Sequence, residues 1–366
     1  MKPSPPPPSP GAQKAPLPIG PGAAATSTEW GSPAFLRFMR LLLLYTILAA
    51  LLYLALRNAP LREIAAALGQ LQLYQLGILF LLNALVIAAM TARWWVIVRA
   101  ENPGMPFLPM IRYRLAVFGL SYFTPGPQVG GEPLQVIYLQ RYHGISMAGA
   151  TAAVIVDKLL EFLANFVLIA VGLIAALHVG LFARPSPQIS ASLIPMVAVL
   201  LWPVIHLALL YRGRYPISSL LNTATGLIGT PRWARLIIVS ERMAAAFTRR
   251  RPGSLLIALM FSFAAWAGMA LEYFLIASYL NTSLSFEQTL AALTAALVAF
   301  LMPLPGGLGA LEASQVFALQ AMGYAPALGI SISLIMRGRD ILNGVVGLLF
   351  AGKARRKQAV KDASLL

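Results

Sequence analysis

Leu301-Met302-Pro303-Leu304-Pro305-Gly306-Gly307-Leu308-Gly309-Ala310-Leu311-Glu312 sits in the middle of an apolar segment, residues 287–323. Proline lacks the donor a helix needs, and glycine weakens a helix interior. The segment is therefore cut into two arms, each too short to cross about 30 Å of hydrocarbon. A helical hairpin that enters and leaves on one side satisfies this pattern. The pattern occurs twice. Phe123-Thr124-Pro125-Gly126-Pro127-Gln128-Val129-Gly130-Gly131-Glu132 breaks an earlier apolar segment, 111–142. Each break ends on a glutamate, and a glycine, Gly144 or Gly323, follows that glutamate eleven or twelve positions later. A long apolar run carrying ionisable residues comes next in both cases. Two matched breaks point to an internal duplication.

The composition around them excludes most alternatives. The chain of 366 residues is 58% hydrophobic and 11% charged, where an ordinary soluble domain has roughly 25% charged residues. Too few polar residues exist to coat a water-facing surface, and the hydrophobicity is too high for a disordered chain. The apolar residues form unbroken runs, not the alternating strands of an outer-membrane barrel. The fold class is an all-α integral membrane protein, with about six full transmembrane helices plus two re-entrant helical hairpins in an inverted repeat. The expected spans are 35–56, 72–92, 148–181, 189–211, 254–280 and 326–351.

Residues 1–33 form a Pro-rich stretch expected to be a disordered tail. Residues 34–352 form the membrane domain, with halves at about 34–182 and 189–352, and 353–366 form a basic cytoplasmic tail. Residues 57–71 and 216–250 read as amphipathic connectors lying in the interface. The formal charge is +16, with no nucleic-acid-binding pattern beside it, so the basic residues read as topology signals. Arg37, Arg40, Arg93, Arg99, Arg212, Arg214, Arg249, Arg250, Arg251, Lys353, Arg355, Arg356 and Lys357 all fall on one side of a six-span scheme. Both termini are then cytoplasmic, in a multi-pass protein of the cell membrane, and the hairpins open on opposite sides.

Broken helices leave unpaired backbone groups, which hydrocarbon tolerates only around a filled cavity. Inverted repeats with such breaks are a mark of transporters. Pro125, Gly130, Gly131, Pro303, Pro305, Gly306, Gly307 and Gly309 are the hairpin-break residues. Asp157, Lys158, Glu161, Glu272, Arg337, Arg339 and Asp340 lie inside apolar runs, where an unpaired charge costs roughly 2.5–3.5 kcal/mol or more. Pairing of Asp157 with Arg337, which the repeat sets at equivalent depth, is one expected way to hold them. Arg93, Arg112, Arg114 and Arg337 are candidates for phosphate contact, because a guanidinium offers two parallel donors. Glu132 and Glu312 are candidates for polar headgroup contact or gating. Asp157, Lys158, Glu161 and Asp340 complete the substrate-binding set.

Several of these motifs resemble the flippase-like family related to the transmembrane domain of lysylphosphatidylglycerol synthase. The carrying residues are Arg93-Trp94, Gly119 to Glu132, Asp157-Lys158, Pro303 to Glu312, and Arg337. Where the family pattern has an arginine shortly after the first Gly-Glu, this chain has Pro133-Leu134-Gln135. The resemblance implies translocation of a lipid or lipid carrier across the cytoplasmic membrane, its anionic headgroup held between the two hairpins. The expected partners are membrane lipids with anionic headgroups. A scaffold for a glycosyltransferase or lipid-modifying enzyme is the alternative, and a membrane-embedded lipid pyrophosphatase a weaker one. No catalytic residue is expected: the breaks offer Thr124 as a hydroxyl but no base beside it, and His143, His178 and His206 are scattered. Zero cysteines exclude disulfides and thiolate-held metals, and neither a cofactor nor a metal is expected.

Overall fold

The structure, a computed structural model, describes residues 46, 61–124, 130–181, 201–225, 231–301, 307 and 309–363. The chain divides into two units, Met1–Ile47 and Leu48–Leu366, and every helix named below lies in the second. Among the described residues there are helices and no strands. The expected span 35–56 apart from residue 46, the first part of 189–211, and Pro125, Pro303, Pro305 and Gly306 fall outside those residues.

The first half contains α1 (Leu61–Gly69), α2 (Leu73–Glu101), α3 (Phe107–Phe123), α4 (Glu132–His143) and α5 (Met147–His178). A short apolar helix α6 (Leu201–Tyr211) follows. The second half contains α7 (Pro216–Thr225), α8 (Arg232–Arg250), α9 (Pro252–Tyr279), α10 (Phe286–Phe300), α11 (Ala310–Ala321) and α12 (Pro326–Ala363). Three of these, α2, α5 and α9, are long and apolar enough to cross a membrane. That identifies a membrane-embedded protein.

Local chemistry sets most boundaries. Ser146 caps α5 by accepting the Gly149 N–H at 3.1 Å, and Ser285 caps α10 by accepting from Gln288 at 3.2 Å, which satisfies donors a helix start leaves open. The arms α4 and α11 both end at glycines in the left-handed region, Gly144 at φ 68° and Gly323 at φ 88°. Glycine takes this conformation without the Cβ penalty. Two expected ends move. α2 runs nine residues beyond the expected end at Ala92, because Arg93 is buried and paired there and does not reach for water. α12 continues as helix through the basic residues after Ala351.

Packing repeats between the halves. α2 and α9 lie against each other, α3 packs on α12 while α10 packs on α5, and α4 packs on α5 while α11 packs on α12. The connector α1 rests on α12, and α8 rests on α5. Each hairpin's first arm thus crosses to the long helix of the other half, and its second arm stays with its own. Glycine permits both crossings. A Cβ on Gly347 of α12 would overlap the Leu115 carbonyl of α3, and one on Gly172 of α5 would overlap the Thr294 hydroxyl of α10. Close backbone approach at small residues is how helices associate without a hydrophobic drive.

Candidate functional site

The second arm of each hairpin opens on its glutamate, and the two glutamates do the same two things. Glu132 Oε2 accepts the Gly130 N–H at 2.7 Å, and Glu132 Oε1 lies 3.1 Å from Lys158 Nζ of α5. Glu312 Oε2 accepts the Gly309 N–H at 3.0 Å, and Arg337 of α12 donates to both of its oxygens at 2.6 and 2.7 Å. A carboxylate at a helix start is stabilised by the open N–H groups, and here it also ties the hairpin tip to the following long helix.

This arrangement fixes the true register of the repeat. Lys158 lies 14 residues after Gly144, and Arg337 lies 14 after Gly323; Glu161 and Asp340 then follow at plus three. Arg337 is therefore the counterpart of Lys158, not of Asp157. The expected Asp157–Arg337 pair does not form. Asp157, fully buried, accepts from Arg93 Nε at 2.6 Å and from Arg114 Nη1 at 3.2 Å. The reason is reach: α2 packs on α5 and α3 packs on α2, and these two helices bring the Arg93 and Arg114 guanidiniums to Asp157 from its own half.

Glu161, one turn further along α5, completes the first cluster. It accepts from Arg93 Nη2, from Arg114 Nη2 at 3.1 Å and from Lys158 Nζ at 3.0 Å. In the second half, Arg339 Nη1 donates to Glu272 Oε2 of α9 at 2.6 Å, and Arg339 Nε donates to Asp340 Oδ1 at 2.9 Å. Amides join the halves to the same frame: Asn343 of α12 donates to Asn83 of α2, and Trp266 of α9 donates to Asn165 of α5, each at 3.0 Å.

Both clusters border one cavity of about 260 Å³. Its polar wall holds Arg114, Glu132, Lys158 and Glu161 from the first half and Glu272, Arg339 and Asp340 from the second. Apolar side chains make up much of the remainder, among them Phe118, Phe162, Trp266, Met269, Leu297 and Phe300. An apolar chamber with a few convergent polar groups is the usual form of a ligand site.

The candidate residues separate into three groups by position. Arg114, Glu132, Lys158, Glu161 and Asp340 line the cavity. Arg93, Asp157, Glu312 and Arg337 stand behind that wall and hold it. Arg112 is exposed on α3 and is not part of the lining. At the tips, Gly130 is exposed, while Gly131 is buried against α3, where its N–H donates to Ser121 Oγ at 2.9 Å. Gly307 and Gly309 take φ values of 63° and 76°, which L side chains rarely adopt.

Glu272 and Arg339 were legible only as charges in apolar runs, and the structure brings both to the cavity wall. Asn83, Asn165 and Asn343 are not among the candidates read from the sequence. Their signal was there: a lone amide inside an apolar helix must find a partner. A further pair is unequal. Gln315 of α11 accepts from Tyr273 at 2.5 Å and donates to the Ala292 carbonyl at 3.0 Å. Its counterpart Gln135, equally buried, has no hydrogen-bond partner among the described residues.

Comparison with known proteins places the chain among membrane proteins. A UPF0104 membrane protein of Pyrococcus horikoshii is 24% identical over 272 residues, covering 70% of this chain and 80% of that protein. A UPF0104 membrane protein of Methanothermobacter thermautotrophicus is 21% identical over 266 residues, covering 70% of this chain and 78% of that protein. No solved structure matches the chain. Residues 39–347 match the family described as the lysylphosphatidylglycerol synthase TM region, and with that span covering the hairpins, the long helices and the cavity, the chain belongs to this family.

Proposed function

We propose that this protein moves a lipid or lipid carrier between the leaflets of the cytoplasmic membrane, without chemical conversion. In this reading the chain has six full spans and two re-entrant hairpins, α3–α4 and α10–α11, inverted relative to one another, with both termini cytoplasmic. The observation that carries it is the cavity: seven Asp, Glu, Lys and Arg side chains converge from both halves on a chamber whose other walls are largely apolar. A lipid needs both environments, polar for the headgroup and apolar for the first carbons of its tails.

Every cation at the wall already has a carboxylate, so an anionic headgroup enters by exchange. A phosphate oxygen would compete with Glu161 for Arg114 and Lys158, two donors that converge on that one carboxylate. Release of Lys158 from Glu132 would in turn free the tip of the first hairpin. Binding and gating are thereby linked through one side chain.

The test is transport of fluorescent phosphatidylglycerol in proteoliposomes holding the purified full chain, read by quenching of the outer leaflet. Faster loss of the protected fraction than in empty liposomes is expected, reduced at least tenfold by Lys158→Ala. Equal rates with and without protein overturn the proposal and favour the scaffold reading.

A further inference from the structure

The two clusters differ in charge balance. Around the first hairpin, Arg93, Arg114 and Lys158 face Glu132, Asp157 and Glu161, three cations for three carboxylates. Around the second, Arg337 and Arg339 face Glu272, Glu312 and Asp340, two cations for three carboxylates. Glu312 occupies Arg337 with both oxygens. Arg339 is left to serve two carboxylates, each through one oxygen: Glu272 Oε2 at 2.6 Å and Asp340 Oδ1 at 2.9 Å. The other oxygens, Glu272 Oε1 and Asp340 Oδ2, accept no hydrogen bond from a described residue. Both side chains are more than nine-tenths buried, 3% and 8% exposed, and both line the cavity.

Among the described residues, nothing packed around them supplies the missing charge. The elements against α9 are α2, α5, α8, α10 and α12, and the charges that act on Glu272 are those of Arg339 and Asp340. Those that act on Asp340 are Arg339 and Arg337. Tyr122 of α3 lies near the same groups, but a phenol cannot carry a positive charge. Lys158 and Glu161 lie elsewhere on the wall, paired with each other. An uncompensated buried carboxylate is strongly disfavoured and normally gains a counter-charge or a proton. Among the described residues no group of three or more His, Asp or Glu side chains comes together to hold a metal ion, and a guanidinium already binds the two carboxylates.

We infer that Glu272, Arg339 and Asp340 form a proton-binding site on the cavity wall, holding one exchangeable proton on its two carboxylates. Asp340 is the counterpart of Glu161, three residues after Arg337 as Glu161 is after Lys158. The same position in the repeat thus serves a balanced cluster in one half and a protonatable one in the other. That this proton drives lipid movement rests on the translocation reading. That the site binds it does not.

Two measurements separate these statements. Infrared difference spectra of the full chain in lipid nanodiscs, recorded across a pH titration without substrate, read protonated carboxyl groups directly. Wild type is expected to show one buried carboxyl band that Glu272→Gln and Asp340→Asn each abolish, and that Glu101→Gln at the exposed end of α2 leaves in place. The two near-isosteric variants act independently, so failure of one to purify leaves the other, and the wild-type titration stands alone. No titrating band, or a band unchanged in both variants, overturns the proton site. So does a band that vanishes when sodium replaces choline, which assigns the site to a metal cation. In proteoliposomes, an imposed pH gradient should alter wild-type lipid transport several-fold and leave Glu272→Gln insensitive. The band without any lipid transport keeps the proton site and defeats the translocation reading.

Discussion

Arg337 shows why a charged residue in an apolar helix has to be judged by what reaches it. It is 1% exposed and takes Glu312 through Nε and Nη2. Removing one partner of a buried pair costs about 3–5 kcal/mol, because the other charge is stranded. A double-mutant cycle of Arg337→Ala with Glu312→Ala should therefore show strong coupling in thermal stability, read by fluorescence-detected gel filtration. The same cycle with Asp157→Ala should be additive to within about 0.5 kcal/mol, since the two share no partner. Coupling between Arg337 and Asp157 would return them to one pair and undo the register drawn from Gly144 and Gly323. Arg339→Ala should also lower stability, since it leaves Glu272 and Asp340 facing each other.

At the scale of the element, the crossings of α3 on α12 and of α10 on α5 depend on single atoms. A Cβ at Gly347 would overlap a backbone carbonyl, and one at Gly119 would come within 2.5 Å of the Gly344 carbonyl. Backbone cannot yield as a flexible side chain can. Gly347→Ala should therefore separate α3 from α12 and cut the yield of folded protein severely. Gly77→Ala on α2, where nothing lies within 4 Å, should hold or gain stability, by up to about 1 kcal/mol. Equal yields from both variants would show that these helices do not touch at Gly347. Sequence reading located the four short helices well, because Pro and Gly act locally: the arms expected at about 111–142 and 287–323 appear as α3, α4, α10 and α11. It could not reach the exchange of first arms between halves, which is a property of packing and leaves no local mark. For the same reason it named Glu132 and Glu312 but paired Arg337 with the wrong carboxylate, one position off in the repeat.

For the whole molecule, the proposed reading turns on whether the two halves are inverted, and the absence of cysteine makes this measurable. If the halves are inverted, the loop between α9 and α10 and the connector α7 lie on opposite sides of the membrane. Ser283 and Ser219 are exposed positions in these two places. Ser218, next to the latter, is unsuitable: it is 3% exposed, and its N–H and hydroxyl both donate to the buried Glu241, at 2.6 and 2.5 Å. Each exposed serine is replaced singly by cysteine, and intact cells are treated with a membrane-impermeant maleimide. Ser283→Cys should label directly, and Ser219→Cys only after permeabilisation. The basic residues set this expectation, since loops rich in Lys and Arg are usually cytoplasmic and Arg212 and Arg214 precede α7 while Arg249, Arg250 and Arg251 follow it. Labelling of both positions from one side would make the halves parallel. The two hairpins would then open to the same compartment, and the exchange of Lys158 between Glu132 and Glu161 could no longer be matched by an opposite gate at Glu312 and Arg337. Labelling from opposite sides, with Ser219 outside, would keep the inversion and reverse the direction in which each hairpin opens.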